Sequence, residues 1–421
     1  MSTARTVAVV DADGIGAHLP AALARQGLGC VVVRSDTPDA VFADGAGGAG
    51  ADVVHTGDLP ATAAALRERG VDFVVAGTES GVLLADALSA VLGTPGNGMS
   101  VPAARRDKYA MVRAVAAAGL ATAASLVTDS PQELREWVGR HGQWPVVLKP
   151  RASAGTDQVH FCHSAEQLDA AFADISAATD RYGARNTTVL AQQYLHGEEF
   201  FVNTVSRGGA HHVVEVWRYH KALVAGTVPM YDYEEPVPPG EPAVRQVTAY
   251  ALAVLDALEI RNGAAHTEVM LTASGPVLVE CAARPGGAHA PEVVSRCLGT
   301  NQIDLLARVI ARPGDLTDGT LPQYRIGTPL RYVSLISHVD GVIPDAARLA
   351  PVRALPSFTE LVLTAPEGAA VRPTVDLGSS PGYVYLSARD AAQVEADYRR
   401  LRELERTGLY EAPVSAAADG R

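Results

Sequence analysis

Long apolar segments are missing from this sequence of 421 residues. No apolar run approaches the roughly 18 residues that a membrane-spanning helix requires. The first ten residues are too short and too weakly basic a stretch to resemble a secretory signal peptide. We therefore expect a cytoplasmic protein that makes no contact with a membrane.

Cysteine and positive charge are also scarce. The four cysteines are Cys30, Cys162, Cys281 and Cys297. They lack both Cys-x-x-Cys and Cys/His metal spacing, which predicts reduced core thiols rather than disulfides or a zinc site. The chain has 35 Lys and Arg against 47 Asp and Glu, a formal net charge of −12. This balance argues against a nucleic-acid-binding surface and restricts any polyanionic ligand to a small molecule.

The first hundred residues alternate short β-rich runs with helical stretches. This order predicts a βαβαβα arrangement and a doubly wound parallel sheet. The first turn, at residues 11–16, contains Gly14 and Gly16 but lacks the third glycine of the dinucleotide-binding pattern Gly-x-Gly-x-x-Gly. A plain strand-to-helix turn is therefore favoured over an NAD site, which makes an oxidoreductase the weakest alternative.

A second region begins at Asp107, a suitable N-cap for a helix. Capping boxes at residues 130–133 and 164–167 predict two further helices. Later segments have the pattern of antiparallel strands around a helix at 242–258. These strands are residues 191–193, 200–206, 212–217, 267–271 and 277–281. After residue 329, strand-like runs and a final amphipathic helix are expected to complete the preceding domain.

Lys149 lies in a predicted apolar strand at residues 145–150, and small residues follow it at 153–156. A lysine at the end of an apolar strand needs a partner, and the backbone N–H groups of a small-residue loop are able to surround an anion. A phosphate contact is therefore favoured over a surface turn. Lys108, which opens the helix after Asp107, is a candidate second cation, although by itself it would be a solvated helix residue.

Two carboxylates, Glu268 and Glu280, lie among apolar residues on neighbouring predicted strands. They would repel each other unless a cation lies between them, which favours a Mg²⁺ site over a glutamate that faces solvent. Arg284 follows Glu280 by four residues, and its planar guanidinium suits a phosphoryl oxygen or a substrate carboxylate. The connector from Gln192 to Glu199 suits an adenine edge, with Glu199 reaching a ribose, but by itself it also suits a hairpin.

Three further residues are candidates for substrate contacts. Glu79 follows the third predicted strand, at the edge of a parallel sheet where ligands bind, and is a candidate for a substrate ammonium group. His266 and His289 lie near the acidic motif and are candidate general bases, although lone histidines are more often structural.

The motifs follow one another in a fixed order that covers most of the chain. They are Asp107-Lys108, Val147 to Pro150, Ser153 to Thr156, Gln193-Tyr-Leu with Glu199, His266-Thr-Glu268, and Glu280-x-x-x-Arg284-Pro-Gly-Gly. This series resembles the ATP-grasp superfamily, and within it the carboxylate–amine ligases that include bacterial L-amino acid (dipeptide) ligases. The resemblance implies an α/β protein, α+β in its later domains, with a doubly wound N-terminal domain, a small lid and a larger antiparallel-sheet domain.

The resemblance also implies domain boundaries and residue roles. The expected domains are an N-terminal Rossmann-like domain at 1–105, a lid at 106–190, a large subdomain with the metal and phosphate site at 191–311, and a C-terminal part completing it at 312–421. The resemblance implies catalytic roles for Lys149, Glu280 and Arg284. It implies nucleotide contacts for Lys108, Lys149, Ser153, Ala154, Gly155, Thr156, Gln193, Tyr194, Leu195 and Glu199. The metal ligands are Glu268 and Glu280, and the substrate candidates are Glu79, His266, Arg284, Gly287 and His289.

The implied reaction joins a carboxylate, activated by ATP as an acyl phosphate, to an amine, with amino acids as the favoured substrates. Mg²⁺ is the expected metal, with Mn²⁺ as a substitute, and a homodimer is left open. Many relatives carry Asn two residues after the second Glu, where this chain has Ala282, so the number of metal ions is left open too. Two alternatives remain: a carboxylase that uses bicarbonate and a non-catalytic nucleotide-binding protein.

Overall fold

The computed structural model describes residues 5–36, 50–141, 143–153, 157–180, 183–224, 228–287 and 290–411. The chain divides into two compact units. The first is formed by Met1–Arg218 and Val237–Arg325, and the second by Tyr219–Pro236 and Ile326–Arg421. The bounds of the four expected domains remain a prediction.

The first unit opens with a parallel sheet. Its strands are β1 (Thr6–Val10), β2 (Gly29–Arg34), β3 (Val53–Val54) and β4 (Val71–Ala76), in the order β3-β2-β1-β4. The helices of this region are α1 (Leu19–Arg25), α2 (Leu59–Glu68) and α3 (Val82–Leu92), with a 3₁₀ helix at Gly14–His18. Val7 to Val10 are all fully buried, as is typical of a central parallel strand covered on both faces. The predicted parallel sheet is confirmed.

The turn after β1 packs directly against the turn after β4. A Cβ atom at Gly16 would lie 2.6 Å from the carbonyl oxygen of Gly77, and a Cβ atom at Gly77 would overlap the carbonyl oxygen of Asp11. The Asp11 carboxylate accepts hydrogen bonds from the backbone N–H and the hydroxyl of Ser35, at 2.8 and 2.7 Å. Backbone packing therefore explains the glycine of the first turn without a dinucleotide.

A smaller antiparallel sheet follows within the first unit. Its strands are β5 (Ser125–Thr128), β6 (Val146–Lys149), β7 (His160–Cys162) and β8 (Val189–Gln193), in the order β5-β8-β6-β7. Two helices, α5 (Pro131–His141) and α6 (Ala165–Ala177), pack Leu134, Trp137 and Phe172 into its core. The sequence placed residues 191–193 among the later strands, whereas β8 pairs with β5 and β6 here.

Long antiparallel strands form the rest of the first unit's sheet structure. They are β9 (Glu198–Arg207), β10 (Ala210–Val224), β12 (Gly263–Thr272) and β13 (Gly275–Ala282), in the order β13-β12-β9-β10. Residues 219–224 of β10 belong to the second unit. The remaining helices of this unit are α4 (Lys108–Ala117), α7 (Pro242–Ala257), α8 (Pro291–Leu298), α9 (Gln302–Ala311) and α10 (Gly314–Thr317), with a 3₁₀ helix at Pro102–Arg105. Asp107 caps α4, since its carboxylate accepts from the N–H groups of Tyr109 and Ala110 at 2.9 and 3.0 Å.

The second unit has its own antiparallel strands and core. The strands β11 (Val228–Pro236), β14 (Leu330–Ser334), β16 (Phe358–Leu363) and β18 (Gly382–Ser387) run in the order β11-β14-β18-β16, and β15 (Gly341–Val342) pairs with β17 (Ala370–Val371). The helices are α11 (Ala346–Arg353) and α12 (Ala391–Arg406), with a 3₁₀ helix at Leu377–Ser379. Val333, Val384 and Leu401 are fully buried in this core. The predicted final helix is present, capped by Asp390.

Two predictions from composition can be compared with this fold. None of the four cysteines, all of which lie in the described ranges, forms a disulfide, and Cys162, Cys281 and Cys297 are buried. Among the described helices, none reaches the combined length and hydropathy of a membrane span. The mixture of a parallel sheet with larger antiparallel sheets is the predicted fold class.

Candidate functional site

The two acidic residues predicted as metal ligands face each other across two paired strands. Glu268 on β12 lies directly opposite Glu280 on β13, so both side chains leave the same face of the sheet. Both side chains are only partly buried, being 19% and 26% exposed. Cross-strand neighbours of like charge destabilise a sheet unless cations accompany them, and the site supplies such cations.

Two lysines surround this acidic pair. Lys108 is the first residue of α4, and its Nζ donates hydrogen bonds to Glu280 Oε1, at 2.7 Å, and to the carbonyl oxygen of Ser153. Lys149 ends β6 and is buried. Burial lowers the pKa of Lys149 to about 8, and the charge of Lys108 acts in the same direction, against the attraction of Glu280, Glu268 and Glu199. The structure therefore brings both predicted phosphate-binding lysines to the acidic pair.

The donor set of this cluster fits a Mg²⁺ ion. Carboxylate oxygens suit this hard cation, which is usually bound in proteins by one or two carboxylates, with phosphate oxygens and water as the remaining ligands. Within the described ranges, no three His, Cys, Asp or Glu side chains come together at metal-binding distance. Buried Ala282 lies opposite His266 on the same pair of strands and offers no side-chain oxygen. The protein's own contribution to a metal site would thus be Glu268 and Glu280.

His266 is held in a chain of polar contacts. Its Nδ1 is 2.8 Å from Asn203 Oδ1, and Asn203 Nδ2 donates to Glu215 Oε1 at 2.9 Å. Its Nε2 is 3.4 Å from Glu268 Oε1, and its ring centroid lies 4.9 Å from that of Phe201. The structure thus places His266 beside the acidic pair and gives its imidazole fixed partners. A role as general base stays a prediction.

Glu79 and Arg284 meet at the end of β4. Glu79 Oε2 accepts from Arg284 Nε at 3.0 Å, and Glu79 Oε1 accepts from Arg106 Nη1 at 2.8 Å. Burial would raise the pKa of the Glu79 carboxyl, but Arg106, Arg284 and Lys108 together hold it below its ordinary value. Sequence reasoning identified Glu79 and Arg284 separately and missed Arg106. No spacing rule links Arg106 to a glutamate 27 residues away.

The predicted nucleotide connector follows β8. The Gln193 N–H donates to the Ala124 carbonyl at 2.9 Å, and its side chain donates to Gln143 Oε1 at 3.0 Å. The Tyr194 ring lies 5.9 Å from the Phe161 ring. Leu195 follows in the same connector, and Glu199 is buried at the start of β9. The hydrogen bonds of Gln193 anchor the start of the connector to the smaller sheet.

Two further predicted site residues, Ser153 and Gly287, lie in the segments that follow β6 and β13. Ser153 is buried, and its hydroxyl donates to Asp157 Oδ2 at 2.6 Å. Gly287 is exposed. The predictions for Ala154, Gly155, Thr156 and His289 lie outside the described residues.

Comparison with known proteins assigns the chain to a family. A family model described as "ATP-grasp domain" matches residues 142–292. Dapdiamide A synthase from Enterobacter agglomerans is 32% identical over 427 residues, which cover 96% of this chain and 97% of that protein. The L-arginine-specific L-amino acid ligase of Bacillus subtilis is 23% identical over 226 residues, covering 53% of this chain and 54% of that protein.

A solved structure agrees in fold along the same length. The crystal structure of an L-amino acid ligase from Bacillus licheniformis matches with a TM-score of 0.72 and 18% identity. The match covers 96% of this chain and 98% of that one. At this identity the likeness shows a shared fold.

Proposed function

Because this chain belongs to the ATP-grasp family of ATP-dependent carbon–nitrogen ligases, we propose that it joins the carboxylate of an amino acid to an amine in the cytoplasm. The products are an amide or dipeptide, ADP and phosphate. The proposed substrate class is supported by similarity to a protein named as an L-amino acid ligase and by the near-complete alignment with dapdiamide A synthase.

One observation carries the proposal: a continuous cluster of alternating charges. Arg284 pairs with Glu79, and Lys108 pairs with Glu280. The charge of Lys108 helps to lower the pKa of Glu79. The charge of Glu280 opposes the lowering of the Lys149 pKa by burial. Cations on both sides of an acidic pair suit the transfer of a phosphoryl group, since this chemistry depends on positioning and on neutralising negative charge.

The proposed reaction has two steps. In the first, a carboxylate oxygen of the substrate attacks the γ-phosphorus of ATP, and the bond to ADP breaks. In the second, the amine lone pair attacks the acyl carbon, the C–N bond forms, phosphate leaves with the carboxylate oxygen, and the nitrogen releases one proton to solvent. Lys149 and Arg284 stabilise the negative charge on the transferring phosphoryl oxygens, and Lys108 binds the nucleotide phosphates.

Glu268 and Glu280 are the residues that would hold Mg²⁺, with Mn²⁺ as a substitute. When bound, this metal neutralises phosphate charge. Gln193 to Leu195 are proposed to hold the adenine, and Glu199 the ribose. The small residues at 153–156 are proposed to exclude water from the acyl phosphate, which would otherwise hydrolyse.

A screen for ADP release over pairs of amino acids, with ATP and Mg²⁺, tests the function. We expect release that requires both a carboxylate and an amine substrate. Release that requires bicarbonate and no amine would indicate a carboxylase instead. ATP binding without release across the common amino acids would favour the non-catalytic alternative.

A further inference from the structure

Both oxygens of the Glu79 carboxylate are engaged by guanidinium groups. Arg106 Nη1 lies 2.8 Å from Oε1, and Arg284 Nε lies 3.0 Å from Oε2. The Glu79 side chain is 8% exposed, and those of Arg106 and Arg284 are 13% and 19% exposed. Charge-assisted hydrogen bonds in such surroundings are short and directional. This carboxylate is therefore fixed from two sides.

The same contacts fix the plane of the Arg284 guanidinium. Its Nε donates to Glu79, and its Nη1 donates to the carbonyl oxygen of Pro285 at 2.7 Å. Among the described residues, Arg284 Nη2 has no hydrogen-bond partner. The guanidinium carries five N–H donors in one rigid plane, so fixing two of its nitrogens sets the direction of the third.

We propose that Glu79 is a positioning residue and does not bind a substrate ammonium. Its carboxylate orients Arg284 toward the negatively charged oxygens of the transferring phosphoryl group. The inference rests on the proposed function, in which Arg284 stabilises the transferring phosphoryl group. Both oxygens of the Glu79 carboxylate already accept from an arginine, and its side chain is 8% exposed. A substrate ammonium would therefore compete with two guanidinium groups for one negative charge.

The position of Arg106 gives Glu79 a second link to the site. Arg106 directly precedes Asp107, the N-cap of α4, and Lys108 opens that helix. Glu79 thus connects the segment after β13, which carries Arg284, with the start of the helix that carries Lys108. One carboxylate between two guanidinium groups gives the trio of Arg106, Glu79 and Arg284 a formal net charge of +1.

Kinetics of Glu79→Gln and Glu79→Asp separate positioning from ammonium binding. Each variant is assayed with an accepted amino acid and with the same carboxylic acid lacking its α-amino group, using hydroxylamine as the amine. We expect Glu79→Gln to lower kcat for both substrates, on the order of 10²-fold, with little change in KM. Glu79→Asp, which keeps the charge, should recover part of the loss. An increase in KM for the amino acid alone would overturn the proposal. Glu68→Gln, on an exposed residue, is the matched control.

An NMR measurement tests the same contact without turnover. In protein labelled with ¹⁵N-arginine, the Nε–H signal of Arg284 is assigned by its loss in Arg284→Lys. We expect this proton to exchange slowly with water in the wild type and much faster in Glu79→Gln. Unchanged exchange would refute the proposal. Failure of the proposed function would instead be seen as absent ADP release by the wild type, and Glu79→Asp serves if the Gln variant does not fold.

Discussion

At the scale of single residues, Lys149 links burial to the pH dependence of nucleotide binding. Burial lowers its pKa to about 8, so the side chain is largely charged at pH 7 and largely neutral at pH 9. If the charged form binds the phosphates, the Kd for ATP should rise about 10-fold from pH 7 to pH 9. Calorimetry at the two pH values measures this change. Lys149→Met should bind ATP weakly and lose this pH dependence.

The titration of Lys149 is directly observable. The chain contains three lysines, Lys108, Lys149 and Lys221, so ¹³Cε-lysine labelling gives a simple spectrum. Lys149→Met identifies the relevant signal by its loss. A Lys149 signal that titrates near the ordinary lysine value, about 10.4, would contradict the account.

A second prediction for single residues concerns Glu280 and the Mg²⁺ requirement. If Glu280 and Glu268 share Mg²⁺, Glu280→Gln should raise the Mg²⁺ concentration for half-maximal ADP release on the order of 10-fold or more. Glu68→Gln, at an exposed position, should leave it unchanged. Equal Mg²⁺ requirements in wild type and Glu280→Gln would mean that Glu280 forms its ion pair with Lys108 and does not bind the metal.

At the scale of elements, the N-cap of α4 connects stability with nucleotide binding. Asp107→Ala removes the acceptor for two helix N–H groups and the ion pair with Arg151. The loss of a cap costs about 1 kcal/mol of unfolding free energy. Because Lys108 is the next residue, ATP affinity should fall as well. Urea unfolding and calorimetry measure the two effects.

A second capped helix provides the control for this prediction. Asp58 caps α2, accepting from the Ala61 N–H at 2.9 Å, away from the acidic pair in sequence. Asp58→Ala should destabilise the fold by a similar amount and leave ATP affinity intact. An equal loss of ATP affinity in both variants would show that the effect of Asp107 is general destabilisation.

Local sequence signals predicted where several helices begin. They predicted the hydrogen-bond partners of side chains and the pairing of strands less well. Ser130 and Ser164 each accept from the N–H three residues later, as their capping boxes predict. The expected return bonds are replaced: Glu133 accepts from the Thr128 hydroxyl and Gln167 from the His163 N–H. The sheet to which β8 belongs was also missed, because alternation of side chains specifies a strand but not its neighbours.

At the scale of the whole molecule, the order of motifs along the chain predicted the family, which near-complete alignment with a relative confirms. The resemblance implied that Lys108 and Lys149 contact nucleotide phosphates and that Glu268 and Glu280 bind the metal. The structure brings these four residues together, and their roles stay predictions. The Arg106–Glu79–Arg284 contacts join three distant segments, so they become visible only in the folded chain.

The central claim is that this molecule activates a carboxylate as an acyl phosphate. An amino acid labelled with ¹⁸O in its carboxylate tests it most directly, with ATP, Mg²⁺ and an amine. The account predicts one ¹⁸O atom in the released phosphate for each amide formed, together with ADP. Unlabelled phosphate, or ¹⁸O in AMP released with pyrophosphate, would contradict it.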